Sequence, residues 1–230
     1  MEDVIRIEAK PDPRPYGLFG LLLSLGGIGG IVLVVLALGL APLLANGVEY
    51  VLILGCALYL AAIFAIWAMA RLRAGPAWAL LVGWTPCRLD RTFWALLAAS
   101  IAYGPMASLV VNYFNPAFKP MFTLPDDLSG IAAGLFLVVV LAPLSEELLF
   151  RGWIYTALRW RFGFSAALWA SAIIFALAHW ESTHLYALVI LPIGLVLGYL
   201  RERTGSTRAT TLFHMIYNFS GLALSFLGKV

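Results

Sequence analysis

Long apolar runs interrupted by short arginine-bearing stretches dominate the chain, and they predict a bundle of membrane-crossing helices. The runs cover roughly 17–45, 48–70, 92–113, a fourth beginning near 128, then 164–180, 185–200 and 209–227. Each of the clear runs approaches the roughly 20 apolar residues that a bilayer of about 30 Å demands of a helix. The first run is too long for a secretory signal and lacks a simple basic flank, so it is expected to be retained. Its glycines at 26, 27, 29 and 30 suit close helix packing. Residues 1–16 carry prolines at 11, 13 and 15 and mixed charge, and read as an irregular tail. Between the second and third runs, the WTPC turn at 84–87 ends a less regular interfacial piece. The connection NPAFKPMFTLPDD is proline-rich.

After Arg151 the stretch GWIYTALRWRFG is amphipathic and ends at a tip marked by Arg159, Arg161 and Gly163. Glu146 lies 17 residues before Gly163 and His179 lies 16 after it. If both arms are helical, a hairpin at this tip sets the two residues at one depth, about 24 Å below it at 1.5 Å per residue. His214, six residues past Arg208, is about 9 Å from its own loop on the same rise. The depths agree if the hairpin tip projects beyond the membrane, which its arginines permit.

The expected fold class is therefore all-α: a polytopic bundle of about seven transmembrane helices with a cytoplasmic N-terminus. The expected organisation is a tail at 1–16, N-terminal spans at 17–127 and a C-terminal membrane core at 128–230. Composition agrees, since 62% of the 230 residues are hydrophobic and 12% are charged, about half the charged share of a soluble domain. Orientation follows the distribution of the net charge of +3. With seven spans, thirteen of the fifteen basic residues fall on the side of the N-terminus, and only Lys119 and Lys229 fall opposite. Cys56 and Cys87 have no CxxC or CxxH context, which excludes a thiolate metal motif. The arginines sit at span ends without interleaved aromatics, so no nucleic-acid partner is indicated. The bilayer is the expected surrounding. The arginine- and alanine-rich composition suggests a bacterial inner membrane.

Against this background the polar residues of the last 90 positions stand out. Glu146 and Glu147 are adjacent inside an apolar stretch, and Arg151 is four residues after Glu147, which puts that pair on one helix face. Glu146 points about 100° away and is left without a local partner. An unpaired carboxyl in a dry setting can serve as a general base or acid, and intramembrane ionisable groups are expected to face a protein interior or a wet cavity. His179 ends the fifth run with Phe175 four residues earlier. His214 and Asn218 share a face of the seventh. Each feature alone has a structural explanation: an interfacial histidine, an interhelical His–Asn bond, a bracing ion pair. Their joint occurrence on three spans is what suggests chemistry. No HExxH is present, and His179 and His184 are poorly spaced to share a face. Even so, Glu146, His179 and His214 could form a three-ligand zinc site. Ser145 lacks a partner base that would make it a nucleophile.

The ordered set Glu146-Glu147-x-x-x-Arg151, Phe175-x-x-x-His179 and His214-x-x-x-Asn218 resembles the three-motif signature of the CPBP (Abi) intramembrane proteases, which include the type II CAAX prenyl endopeptidases. The resemblance covers Leu141–Leu227. It implies Glu146 as the general base that activates water and His179 as the residue that holds it. It implies His214 and Asn218 as oxyanion donors, with Glu147, Arg151 and Phe175 in support. The implied substrate is a membrane-associated protein or peptide, with prenylated CAAX-type chains one class, and the projecting hairpin is expected to leave the site open to the cytoplasmic side. The implied mechanism is metal-free, with zinc the alternative cofactor. Two other functions remain: a non-proteolytic scaffold or bacteriocin-immunity partner, and a proton-coupled transporter. The latter would be expected to show repeated broken helices, and no such repeat is evident.

Overall fold

The computed structural model describes residues 25–36, 48–115, 128–179 and 185–227, and all regular structure among them is helical. The expected tail at 1–16, most of the proline-rich connection and His184 lie outside these residues. The helices are α1 (Leu25–Leu36), α2 (Val48–Ala74), a 3₁₀ turn (Gly75–Ala77), α3 (Trp78–Leu81) and α4 (Arg91–Phe114). They continue as α5 (Leu128–Leu135), α6 (Ala142–Glu147), α7 (Tyr155–Leu177), α8 (Leu185–Thr204) and α9 (Thr207–Leu227). Two π-helical stretches, Phe136–Leu141 and Leu148–Ile154, flank α6.

Among the described residues, four helical stretches are long and apolar enough to cross a membrane: Leu52–Leu81, Arg91–Phe114, Leu128–Leu177 and Leu185–Thr204. The chain is an integral membrane protein. The third stretch is 50 residues long, about 75 Å if straight, far more than one crossing needs. It is divided at Gly163, whose φ of 84° and ψ of −178° lie outside the helical region and suit glycine, which has no Cβ to clash. The expected tip is therefore the actual break. The aromatic rings of Phe150 and Phe175 meet across the hairpin, 5.1 Å between centroids and edge to face. Phe150 lies 13 residues before Gly163 and Phe175 lies 12 after, so the two arms run back in register.

The returning arm of the hairpin packs on α8 through small residues. A Cβ placed on Gly194 would stand 3.2 Å from both the Cα and the carbonyl oxygen of Ala172, and one on Gly198 would stand 2.8 Å from Leu168 Cδ1. Gly194 and Gly198 are four apart on one face, the small-xxx-small spacing that lets membrane helices approach closely. Where α4 and α9 meet α8, the core is Phe93, Leu97, Ile193, Leu197, Leu200 and Phe213. On the other flank, Ile66, Ala70 and Val82 pack with Leu148 and Trp153.

Arginines at one end of the bundle join the connections to the helices. Arg159 binds Glu202 through Nε and Nη2 at 2.8–3.0 Å, and Tyr155 donates to the same carboxylate at 2.6 Å. Arg201 reaches back to the Arg151 carbonyl and to Thr156. Thr207 donates from its backbone and its side chain to the Gly83 and Val82 carbonyls, at 2.8 and 3.1 Å. Asp90 caps α4 by accepting from Phe93 N and also accepts from Arg203. Hydrogen bonds from Arg203 and then Phe93 lower the Asp90 pKa below its ordinary value. This cap therefore stabilises the fold at neutral pH, and its contribution is lost as pH falls through the lowered value.

Gly194→Leu tests the close α7–α8 packing, because backbone atoms of Ala172 cannot move aside as a flexible side chain could. A loss of about 1–3 kcal/mol is expected for such overpacking, seen as a lower unfolding temperature of the detergent-solubilised protein. An unchanged unfolding temperature would show that the two helices are not in this contact.

Candidate active site

Glu146 and Glu147 occupy the last turn of α6, and the local geometry of that turn begins with Pro143. In the preceding π-helical stretch the Ala142 amide donates to the Leu137 carbonyl, five residues back. The next amide in that register would serve Val138, but it belongs to Pro143, which has no N–H. The Val138 carbonyl instead accepts from Asn218 Nδ2 of α9, at 2.9 Å. One amide side chain thus fills the gap a proline opens and ties α9 to the irregular helix. The second π-helical stretch follows at once. Its Arg151 carbonyl is taken by Thr156 Oγ1 at 3.1 Å and by Arg201 Nε at 3.2 Å. Insertions of this kind inside α-helices recur at functional sites. Here they bracket the glutamates on both sides.

The two adjacent carboxyls have different surroundings. Glu147 and Arg151 are fully buried. Glu147 Oε1 accepts from Arg151 Nη1 at 3.0 Å and from His214 Nδ1 at 3.1 Å. Arg151 Nη2 donates to the Gly194 carbonyl at 3.0 Å, and its guanidinium lies 4.3 Å over the Phe175 ring, a cation–π contact strengthened by desolvation. Phe175 is also packed against the His179 ring at 4.7 Å and the His214 ring at 5.8 Å. This one phenyl ring touches the ion pair and both imidazoles.

Glu146 is partly exposed and faces the histidines. Its Oε2 is 4.0 Å from His179 Nε2 and 3.9 Å from His214 Nε2. Both distances exceed a direct hydrogen bond. His179 Nδ1 contacts the Phe175 carbonyl at 2.8 Å, and a carbonyl can only accept, so that nitrogen carries the hydrogen. The same argument applies to His214 Nδ1 on the Glu147 carboxylate. Both rings therefore turn Nε2 toward Glu146. A neutral ring offers a lone pair there, and a protonated ring offers an N–H.

The remaining oxygen, Glu146 Oε1, accepts from Tyr59 Oη of α2 at 3.2 Å. The residue left without a local partner in sequence has one 87 positions away. Tyr59 was legible only as a tyrosine near the middle of a span, away from the interfacial belts where tyrosine is common.

Of the sequence-predicted set, the structure brings Glu146, His179 and His214 together, with Glu147, Arg151 and Phe175 packed behind them. Asn218 has one N–H committed to Val138. Two imidazole nitrogens and a carboxylate oxygen are donor types that zinc accepts. Tetrahedral bonds of 2.0–2.1 Å would set the donors about 3.3 Å apart, closer than Glu146 is to either histidine. Among the described residues no group of three His, Cys, Asp or Glu side chains has metal-binding spacing.

Arg151→Leu leaves Glu147 as a buried, uncompensated charge and should destabilise the protein by about 3–5 kcal/mol. Removing both charges with Glu147→Leu and Arg151→Met should recover much of that loss in a thermal-unfolding assay. If the double variant is as unstable as the single one, the pair does not act as a mutually compensating unit.

Residues 128–220 match the family model described as type II CAAX prenyl endopeptidase Rce1-like. That segment is about two-fifths of the chain and contains every one of the clustered residues except Tyr59. Searches of curated proteins and of solved structures gave no match. Over residues 128–220 the chain is therefore similar to the Rce1-like type II CAAX prenyl endopeptidases.

Proposed function

We propose that the protein is an intramembrane endopeptidase in which Glu146 activates water for attack on a peptide carbonyl. The observation that carries this reading is the approach of Glu146 Oε2 to Nε2 of both His179 and His214 inside an apolar helical bundle. A base within reach of two imidazoles, in a site lined by Phe175, is suited to hold and deprotonate one water molecule.

In the proposed reaction an O–H bond of water breaks as its oxygen attacks the carbonyl carbon, and the proton passes to Glu146. That proton is then delivered to the leaving amine as the C–N bond breaks. Neutral His179, with its Nδ1–H held by Phe175, accepts from the attacking water through Nε2. His214 assists the oxyanion only as an imidazolium, because its neutral form has no hydrogen on Nε2. The second N–H of Asn218 is the other proposed donor. Loss of one donor to a developing oxyanion costs about 2.7–4 kcal/mol.

The proposed substrate is a membrane-associated protein or peptide, with a prenylated C-terminus the favoured class. An apolar cavity of about 450 Å³ beside the glutamate turn supports that choice, with Leu60, Phe64, Trp67, Leu144 and Leu148 among its walls. Such a lining suits a hydrocarbon chain and carries no charge. We place the end bearing Arg159, Arg201, Arg203 and Arg208 at the cytoplasmic side by the positive-inside rule, in a bacterial inner membrane.

The test is cleavage of prenylated and unprenylated peptides by chelator-stripped protein, beside Glu146→Gln. The stripped protein should cleave, with prenylated peptides preferred, and Glu146→Gln should lose about 10²–10⁴-fold in rate. Activity restored only by added zinc would reassign Glu146 and the histidines as metal ligands. Undiminished cleavage by Glu146→Gln would remove it as the base.

A further inference from the structure

We infer that Tyr59 is a positioning residue of the active site, supplied by a helix outside the segment that matches the family. The inference rests on the proposed role of Glu146 and adds how that carboxyl is aimed. A carboxylate on a two-torsion stem can present either oxygen and can rotate about its terminal bond. For Glu146 to act toward His179 and His214, one oxygen must be held while the other faces the imidazoles.

The observed geometry divides the two oxygens in this way. Oε1 accepts from Tyr59 Oη at 3.2 Å, while Oε2 lies 3.9 and 4.0 Å from the two Nε2 atoms. No hydrogen bond joins Arg151 to Glu146; Arg151 Nη1 and Nη2 donate instead to Glu147 Oε1 and to the Gly194 carbonyl. Tyr59 lies near the middle of α2 (Val48–Ala74), at the depth of the glutamate turn, and its phenol ring gives a stiff, short reach that a serine or threonine there would lack. The next residue, Leu60, and Ile63 one turn on line the apolar cavity. A single turn of α2 therefore both orients the base and walls the space next to it.

Two substitutions separate the hydroxyl from the ring. Tyr59→Phe removes the donor and keeps the packing, and Tyr59→Leu removes both. A positioning role requires that kcat fall about tenfold or more in both variants, with KM within about twofold and the unfolding temperature of Tyr59→Phe unchanged. A purely packing role predicts that Tyr59→Phe keeps wild-type kcat and that only Tyr59→Leu is impaired, which would overturn the inference.

A second readout needs no turnover. Dicyclohexylcarbodiimide, an apolar carboxyl reagent, is applied to the full-length protein, and labelling at position 146 is followed by peptide mass spectrometry with Glu146→Gln as the blank. A carboxyl released from its donor should label several-fold faster in Tyr59→Phe than in the wild type. Equal labelling rates would show that the hydroxyl does not hold Glu146, whether or not any peptide is cleaved. Conversely, wild-type protein that cleaves nothing, with labelling still dependent on Tyr59, would count against the protease reading while sustaining the placement of Tyr59.

Discussion

The arrangement depends on one buried carboxylate oxygen, Glu147 Oε1, which accepts from Arg151 and from His214. Burying such charges costs several kcal/mol for each ion, and the cost is offset only where geometry and further hydrogen bonds are good. Here the offset is spread over the fold. Arg151 continues to the Gly194 carbonyl of α8, reachable because the helices approach closely at that glycine, and lies over Phe175 on the returning arm of the hairpin. His214 brings in α9. The ion pair thus fixes the mutual positions of α6, α7, α8 and α9. It also leaves the neighbouring Glu146, about 100° around the helix, turned toward the imidazoles.

A regular helix could not meet all these demands at once. Pro143 removes an amide exactly one residue after the π-register bond of Ala142, and Asn218 replaces it at Val138. The wider turns before and after α6 alter which faces the flanking residues present, so that Phe150 can meet Phe175 while Glu146 meets His179. Asn218 is thereby a structural bond first, and its proposed part in catalysis falls to the amide hydrogen left over. His214 has a similar double role, since the bond that anchors it to Glu147 also sets which nitrogen faces the reaction.

Much of this was legible in the sequence because the signals were short-range or stoichiometrically rare. Charged residues in an apolar run demand partners, so Glu147 and Arg151 four apart foretold their bond, and arms of 17 and 16 residues about Gly163 foretold that Glu146 and His179 share one depth. Other features were hidden for physical reasons. Tyr59 is joined to Glu146 across 87 positions, and no periodicity within α2 encodes a contact with another helix. The π-helical register depends on backbone bonding that residue type does not announce, although Pro143 marks where it must change. Gly194 and Gly198 had the recognisable small-xxx-small spacing, but their partner face on α7 appears only once the hairpin is folded. Seven spans were expected and four stretches meet the length and hydropathy of a crossing among the described residues. The hairpin arms run as one stretch of 50 residues, and His214 and Asn218 dilute the apolar character of α9.

The convergence of three elements on Glu146 is the central claim, and proximity in the membrane tests it most directly. Cysteine pairs at 146 and 179, and at 146 and 214, would be placed in a chain whose Cys56 and Cys87 are replaced by serine, with a protease site inserted at the Gly163 tip. After treatment with a short thiol-specific crosslinker in native membranes and cleavage at the tip, both pairs should keep the two fragments covalently joined. Fragments that separate for both pairs would place Glu146 apart from the histidines and contradict the account.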